Sequence, residues 1–155
     1  MKTLGYALII TSCAISGIYF SRHYKCLLRN SYAYLELLYQ INENISNWHL
    51  TLSKVYDSIN IEELEHIGFM NTLRSKGLLR AYEDHFGKFI FDSEHISFCH
   101  KLGTMPLGDT IKLCNNEYNR LSKLLNDQKV DLEKKMKLYP ALALLIGIAV
   151  IIMII

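Results

Sequence analysis

The chain has 155 residues, half of them hydrophobic, and a formal net charge of only +2. Near-neutrality excludes the broad basic surface that nucleic-acid binding needs. Four scattered cysteines are too few and too unpatterned for a disulfide framework.

The chain opens on an uncharged run, Thr3 to Phe20, followed by Arg22, His23, Lys25 and Arg29 with no acid before Glu36. A helix over residues 3–20 is roughly 27 Å long, about the hydrocarbon thickness of a bilayer. A cleaved signal peptide would need small residues at its end, whereas Gly17-Ile18-Tyr19-Phe20-Ser21 offers aromatics. Ile10-Thr11-Ser12-Cys13 has the outline of a lipoprotein box, but the apolar run continues well past Cys13. That cysteine therefore reads as a small apolar helix residue. Ser12 with Ser16, and Cys13 with Gly17, form small-xxx-small pairs through which another membrane helix could approach.

Tyr34, Leu37, Ile41, Ile45, Trp48, Leu52, Val55 and Ile59 recur at spacings of three and four, predicting one helix from about Tyr24 to Ser58. Asn42, Glu43 and Asn44 lie on or beside its polar face and are a candidate docking patch. Asn60 is expected to cap a helix carrying Leu64, Ile67, Met70 (or Phe69) and Leu73, ending near Gly77. A short helix over about Leu78 to Phe86 ends at Gly87. Lys88-Phe89-Ile90-Phe91 is strand-like but has no partner strand, and reads as a buried connector. Asp92 or Ser93 then caps a helix directing Ile96, Cys99 and Leu102 inward. Gly103, Pro106 and Gly108 interrupt the pattern.

From Asp109 onward, Ile111, Cys114, Tyr118, Leu121, Leu125, Gln128 and Leu132 follow a heptad, predicting antiparallel packing against the first long helix. Lys129, Lys134, Lys135 and Lys137 precede a second uncharged run, Leu138 to Ile155, with Pro140 as a bend and Gly147 as a small-residue landmark. Basic residues stay on the cytoplasmic side of membrane helices. The expected architecture is therefore all-α: a transmembrane helix over 3–20, a cytosolic antiparallel helical bundle over 21–137, and a transmembrane helix over 138–155. Both termini would lie outside, leaving almost no external sensor. With a cytosolic bundle, the cysteines are expected as reduced thiols.

His95 and Cys99, with His85, His100 and Cys114, contain potential metal ligands without a recognised spacing. They read as core cysteines and surface histidines, so no metal or other cofactor is expected. Glu62, Glu63 and Glu65 fit the first turn of a helix. No phosphate loop, dinucleotide fingerprint, nucleophile elbow or HExxH is present, and no enzyme is expected.

As a whole the chain resembles the stage III sporulation protein AB family of endospore-forming bacteria. Asn42-Glu43-Asn44-Ile45 stands where that family has Glu-Thr-Glu-Ile; Leu102-Gly103, Leu107-Gly108 and Asp109 are similar to its Leu-Gly, Leu-Gly, Asp element. Lys135, Tyr139 and Gly147 resemble its approach to the last anchor, and Tyr82 takes the place of a frequent tryptophan. The resemblance implies a non-enzymatic platform subunit of the secretion-like channel between mother cell and forespore, in the mother-cell membrane. It also implies a soluble domain like those of type II secretion platform proteins, docking the secretion-type ATPase, stage III sporulation protein AA. Candidate contacts are Ser12, Ser16, Gly17 and Gly147 in the membrane, and Asn42, Glu43, Asn44, Gly103, Gly108 and Asp109 on the bundle. A two-pass regulatory or signalling adaptor is the alternative reading.

Overall fold

A computed structural model describes residues 2–48, 50–102 and 104–154. The protein is all-α: among the described residues there are seven α-helices, one 3₁₀ turn and no strand. The helices are α1 (Lys2–Trp48), α2 (Leu52–Ser58), α3 (Glu62–His66), α4 (Phe69–Lys76), α5 (Leu78–Asp84), α6 (Glu94–Lys101) and α7 (Leu107–Ile154). Contacts divide the chain into two compact units. One is Leu27–Asp127; the other is Met1–Cys26 with Gln128–Ile155. The second unit thus reaches past both uncharged runs and takes in residues that charge alone assigns to the 21–137 domain.

In the unit 27–127, α1 buries Tyr34, Leu37, Leu38, Ile41 and Ile45, one face at spacings of three and four. The antiparallel partner, α7, buries Cys114, Leu121 and Leu125. The Tyr39 ring meets that of Tyr118, and the Asn42 amide donates to Asn115 at 2.9 Å. Partners advance along one helix as they retreat along the other, so the two pack antiparallel. The short helices close the core with Val55, Leu64, Phe69, Met70, Leu73, Ala81, Tyr82 and Phe98.

Three sequence expectations about these helices need correction. The helix expected to reach Ser58 stops at Trp48, which is 72% exposed; Thr51 is extended and α2 starts afresh. Apolar spacing survives that turn because α2 still buries Val55 and Tyr56, so periodicity gave no sign of the break. The helix expected from Asn60 to Gly77 is two, parted at Gly68, whose φ of +81° is easy only for glycine. Its cap position is Ile61, without a side-chain capping bond. Gly77, also left-handed at φ +83°, does end α4.

The 88–91 connector is buried through Phe89 and Phe91. It needs no partner strand because α1 supplies side-chain bonds instead. Asn30 donates to the Lys88 carbonyl at 3.2 Å, and the Ile90 amide donates to Ser31 Oγ at 3.0 Å. Asn30 and Ser31 are accordingly buried polar residues with partners.

In the second unit, the start of α1 and the end of α7 form an antiparallel hairpin packed through small residues. A Cβ on Gly17 would lie 2.8 Å from Pro140 Cα and 2.9 Å from Ala143 Cβ, so only glycine fits. A Cβ on Gly147 would lie 3.3 Å from Cys13 Cβ. The Tyr139 ring stacks on Phe20 at 5.8 Å and on Tyr24 at 5.6 Å. Most other large apolar side chains here are exposed, among them Ile15, Leu145, Ile146, Ile152 and Met153. Among the described residues, one helix, α7, is long and apolar enough to cross a membrane.

Candidate functional site

The most organised polar group in the protein lies inside the 27–127 core. Tyr34 projects from the middle of α1, His95 from the first turn of α6, and Glu117 and Arg120 from α7. Tyr34 and His95 are fully buried. The Tyr34 hydroxyl meets His95 Nε2 at 2.5 Å, and His95 Nδ1 meets Glu117 Oε1 at 2.6 Å. With a neutral imidazole protonated at Nδ1, the hydroxyl donates to Nε2 and Nδ1–H donates to the carboxylate.

Arg120 completes the chain. It grips Glu117 with Nη2 (2.7 Å to Oε1) and Nε (3.0 Å to Oε2). Its Nη1 donates to Asp92 Oδ2 at 2.9 Å and to Glu94 at 3.2 Å. The planar guanidinium suits this forked contact. One bonded path therefore ties α1, α6, α7 and the 88–93 connector together.

Burial pushes the His95 pKa below its usual value, and the adjoining Glu117 carboxylate only partly restores it. Burial by itself would raise Glu117, but the bonds from His95 and Arg120 outweigh it and bring the carboxyl down to about 2. The relay is thus carried by a neutral imidazole and a charged Glu117–Arg120 pair. Tyr34 is raised well above its usual value, by burial first and then by its thiol and phenol neighbours. Cys99, whose Sγ lies 3.9 Å from the Tyr34 oxygen, and Cys114 are each pushed up by burial to about 12. Both thiols are protonated at neutral pH and weakly nucleophilic.

Aromatic rings surround the relay. Tyr34 lies 5.1 to 5.7 Å between centroids from Phe69, Tyr82, Phe89 and Phe91, and Tyr82 lies 4.6 Å from His95. The sequence of hydroxyl, imidazole and carboxylate has the order of a catalytic triad. Its hydroxyl end is sealed among rings, however, and only the Glu117–Arg120 end reaches solvent. There it floors a shallow cleft of about 330 Å³, also lined by Glu94, Ser97, Phe98, Lys101 and Leu113. This geometry links α1, α6 and α7 through one bonded path.

His95 corrects an expectation, since it is a core residue rather than a surface histidine. Of the residues expected to face inward from α6, Cys99 and Leu102 are buried while Ile96 is only half-buried, and His95 and Phe98 join them in the core. The available signal was Glu117-x-x-Arg120, an i,i+3 acid–base pair set beside the apolar heptad positions.

The other predicted residues scatter. Asn42 is turned toward α7 and bonded to Asn115, with its own buried Oδ1 lacking a partner. Asn44 donates to the Gln40 carbonyl of its own helix at 2.8 Å, leaving Glu43 as the exposed member of that patch. Gly103 lies outside the described residues. Gly108 and Asp109 are exposed in the first turn of α7, where an acid favours the helix dipole. In the hairpin, Gly17 and Gly147 are occupied by the protein's own helix–helix contact, so they are not free for another membrane helix. Ser12 and Ser16 remain exposed, with the Ser16 hydroxyl bonded to the Ser12 carbonyl at 3.0 Å. Among the described residues no three His, Cys, Asp or Glu side chains converge as metal ligands.

No protein-family profile matches the chain, and neither curated proteins nor solved structures give a significant match.

Proposed function

We propose that this protein is a non-enzymatic, membrane-anchored platform subunit. Its helical unit docks a cytosolic secretion-type ATPase within the sporulation channel complex between mother cell and forespore. The observation that carries this reading is that α1 and α7 each contribute to both units: a core-forming bundle and a glycine-packed, apolar-surfaced hairpin. In the proposed topology both ends of the hairpin span the bilayer, residues 21–137 face the cytosol, and both termini lie outside. Basic residues at Arg22, Lys25, Lys134, Lys135 and Lys137 support that sidedness. Sealing of the Tyr34–His95 relay among aromatic rings favours a structural role over catalysis. The ATPase as partner, stage III sporulation protein AA, rests on the family resemblance.

The test is crosslinked affinity purification of the tagged full-length chain from sporulating cells, with partners identified by mass spectrometry. Recovery of the ATPase with other sporulation membrane proteins is the expected result. Recovery of signalling proteins alone would replace this reading with the two-pass adaptor.

A further inference from the structure

Lys134, Lys137, Leu138 and Ala141 of α7 line a shallow, mainly apolar depression of about 370 Å³. Their spacing puts them on one helical face. The same face continues through Leu145, Ile148 and Ile152, all exposed. Leu138 to Ile152 extends about 21 Å along the helix. Two ammonium groups thus crown a long apolar stripe that no other part of the hairpin covers. Lys134 has only a weak, exposed neighbour in Asp131 at 3.9 Å. Lys137 has no acidic partner among the described residues. The stacked rings of Phe20, Tyr24 and Tyr139 adjoin this boundary, as aromatic residues do at a membrane interface.

We infer that this face is a binding site for an anionic glycerophospholipid. Its phosphate sits between Lys134 and Lys137, and one acyl chain lies along Leu138, Ala141, Leu145 and Ile148. The inference rests on the reading of the hairpin as membrane-embedded and adds a specific occupant to it. Charge complementarity selects that occupant. A second copy packed on this stripe in the same orientation would set Lys134 and Lys137 against identical charges. A zwitterionic lipid would bring the same phosphate but also its own headgroup cation beside the two ammonium groups, and so offers them no net counter-charge.

The experiment reconstitutes the full-length chain in phosphatidylcholine vesicles. It compares the motionally restricted fractions of spin-labelled phosphatidylglycerol and spin-labelled phosphatidylcholine by electron paramagnetic resonance. Wild type is expected to prefer phosphatidylglycerol, each of Lys134→Gln and Lys137→Gln to reduce that preference by about fivefold, and the double variant Lys134→Gln/Lys137→Gln to abolish most of it. The charge-matched double variant Lys129→Gln/Lys135→Gln is expected to retain most of it. Equal losses in both sets, or no preference in wild type, would overturn the site. So would efficient interchain disulfide formation through Leu145→Cys, because a second copy would then occupy the stripe. Alkaline carbonate extraction separates the two levels: a chain that inserts without lipid preference refutes the lipid site alone, whereas an extracted chain refutes the membrane reading as well.

Discussion

The two units of this chain solve the same problem, holding two helices side by side, by different physical means. In 27–127 the contact between α1 and α7 is filled with large side chains and tied through His95 of α6 by a polar path that is buried at Tyr34 and reaches solvent at Arg120. In the hairpin, the contact is made by removing side chains: Gly17 against Pro140 and Ala143, and Gly147 against Cys13. Burial from water rewards bulk. Where lipid covers the outside, apolar bulk gains nothing by facing inward, and close backbone approach contributes instead. The large apolar residues of the hairpin face outward, as the proposed membrane embedding requires.

The strongest way to break this contrast is to remove bulk from the bundle. Tyr34→Ala deletes a ring touching four aromatic neighbours and strands His95 Nε2. A loss of about 3–5 kcal/mol is expected for a buried aromatic truncation. Denaturant titration of the full chain in detergent, followed by near-ultraviolet circular dichroism, measures it. A loss below about 1 kcal/mol would mean that this cluster is not the centre of the core.

Adding bulk is the corresponding injury to the hairpin. Native Cys13 and a Gly147→Cys substitution should form an intrachain disulfide, since the new Cβ lies near the Cβ separation such a bond requires. Cys26→Ser removes the exposed competitor. Introducing Gly17→Leu in that background should cost about 1–3 kcal/mol of helix packing and reduce the disulfide yield on a non-reducing gel. An unchanged yield would show that Gly17 is not at the closest approach. The bundle's denaturation midpoint should stay where it was.

Much of this was legible in the sequence, and the exceptions have physical reasons. The inward face Tyr34, Leu37, Ile41, Ile45 and the stop at Gly77 follow from spacing and from glycine's backbone freedom. The breaks between α1 and α2 and at Gly68 were hidden, because short helices joined by a turn can keep apolar residues in apparent phase. The relay was hidden for another reason. Histidine serves equally as a surface or a core residue, and Ile96 pulled the expected phase of α6 away from His95. The Glu117-x-x-Arg120 pair is visible in the sequence, but nothing in a linear pattern reveals that Glu117 bonds a histidine 22 positions earlier. Likewise, Gly17 and Gly147 were recognisable as contact residues, but only the structure shows them contacting the opposite arm of the same hairpin.

The relay also makes the bundle, but not the glycine-packed hairpin, sensitive to acid. Folded His95 has a pKa below its ordinary 6.5, and folded Glu117 sits near 2 against an ordinary 4.5. In both cases the unfolded chain binds the proton first as pH falls. Stability is therefore full above about 6.5, starts to fall below it through His95, and falls further below 4.5 through Glu117. Each proton contributes a slope of at most about 1.4 kcal/mol per pH unit. Denaturant midpoints measured from pH 8 to pH 4 should show this. His95→Gln should remove its contribution between 6.5 and 4.5 and also shrink the acid limb, because the His95 bond is one of those that hold Glu117 down; an identical profile would mean that His95 does not exchange its proton on unfolding.

The smallest effect on stability is expected at Glu43, and that small effect separates folding from docking. Its neighbours Asn42 and Asn44 are bonded within the protein, so altering either would mix a lost internal contact with any change at a partner surface. Glu43 is exposed and makes no ion pair among the described residues. Glu43→Lys should therefore shift the denaturation midpoint by no more than about 0.5 kcal/mol. If the polar face of α1 docks a partner, the charge reversal should nevertheless reduce recovery of that partner in the crosslinked purification. A stable variant with undiminished recovery would move the docking surface elsewhere on the bundle, with the first turn of α7 at Gly108 and Asp109 next to be tested. A large loss of stability would instead place Glu43 in the packing of the bundle, contrary to its exposure.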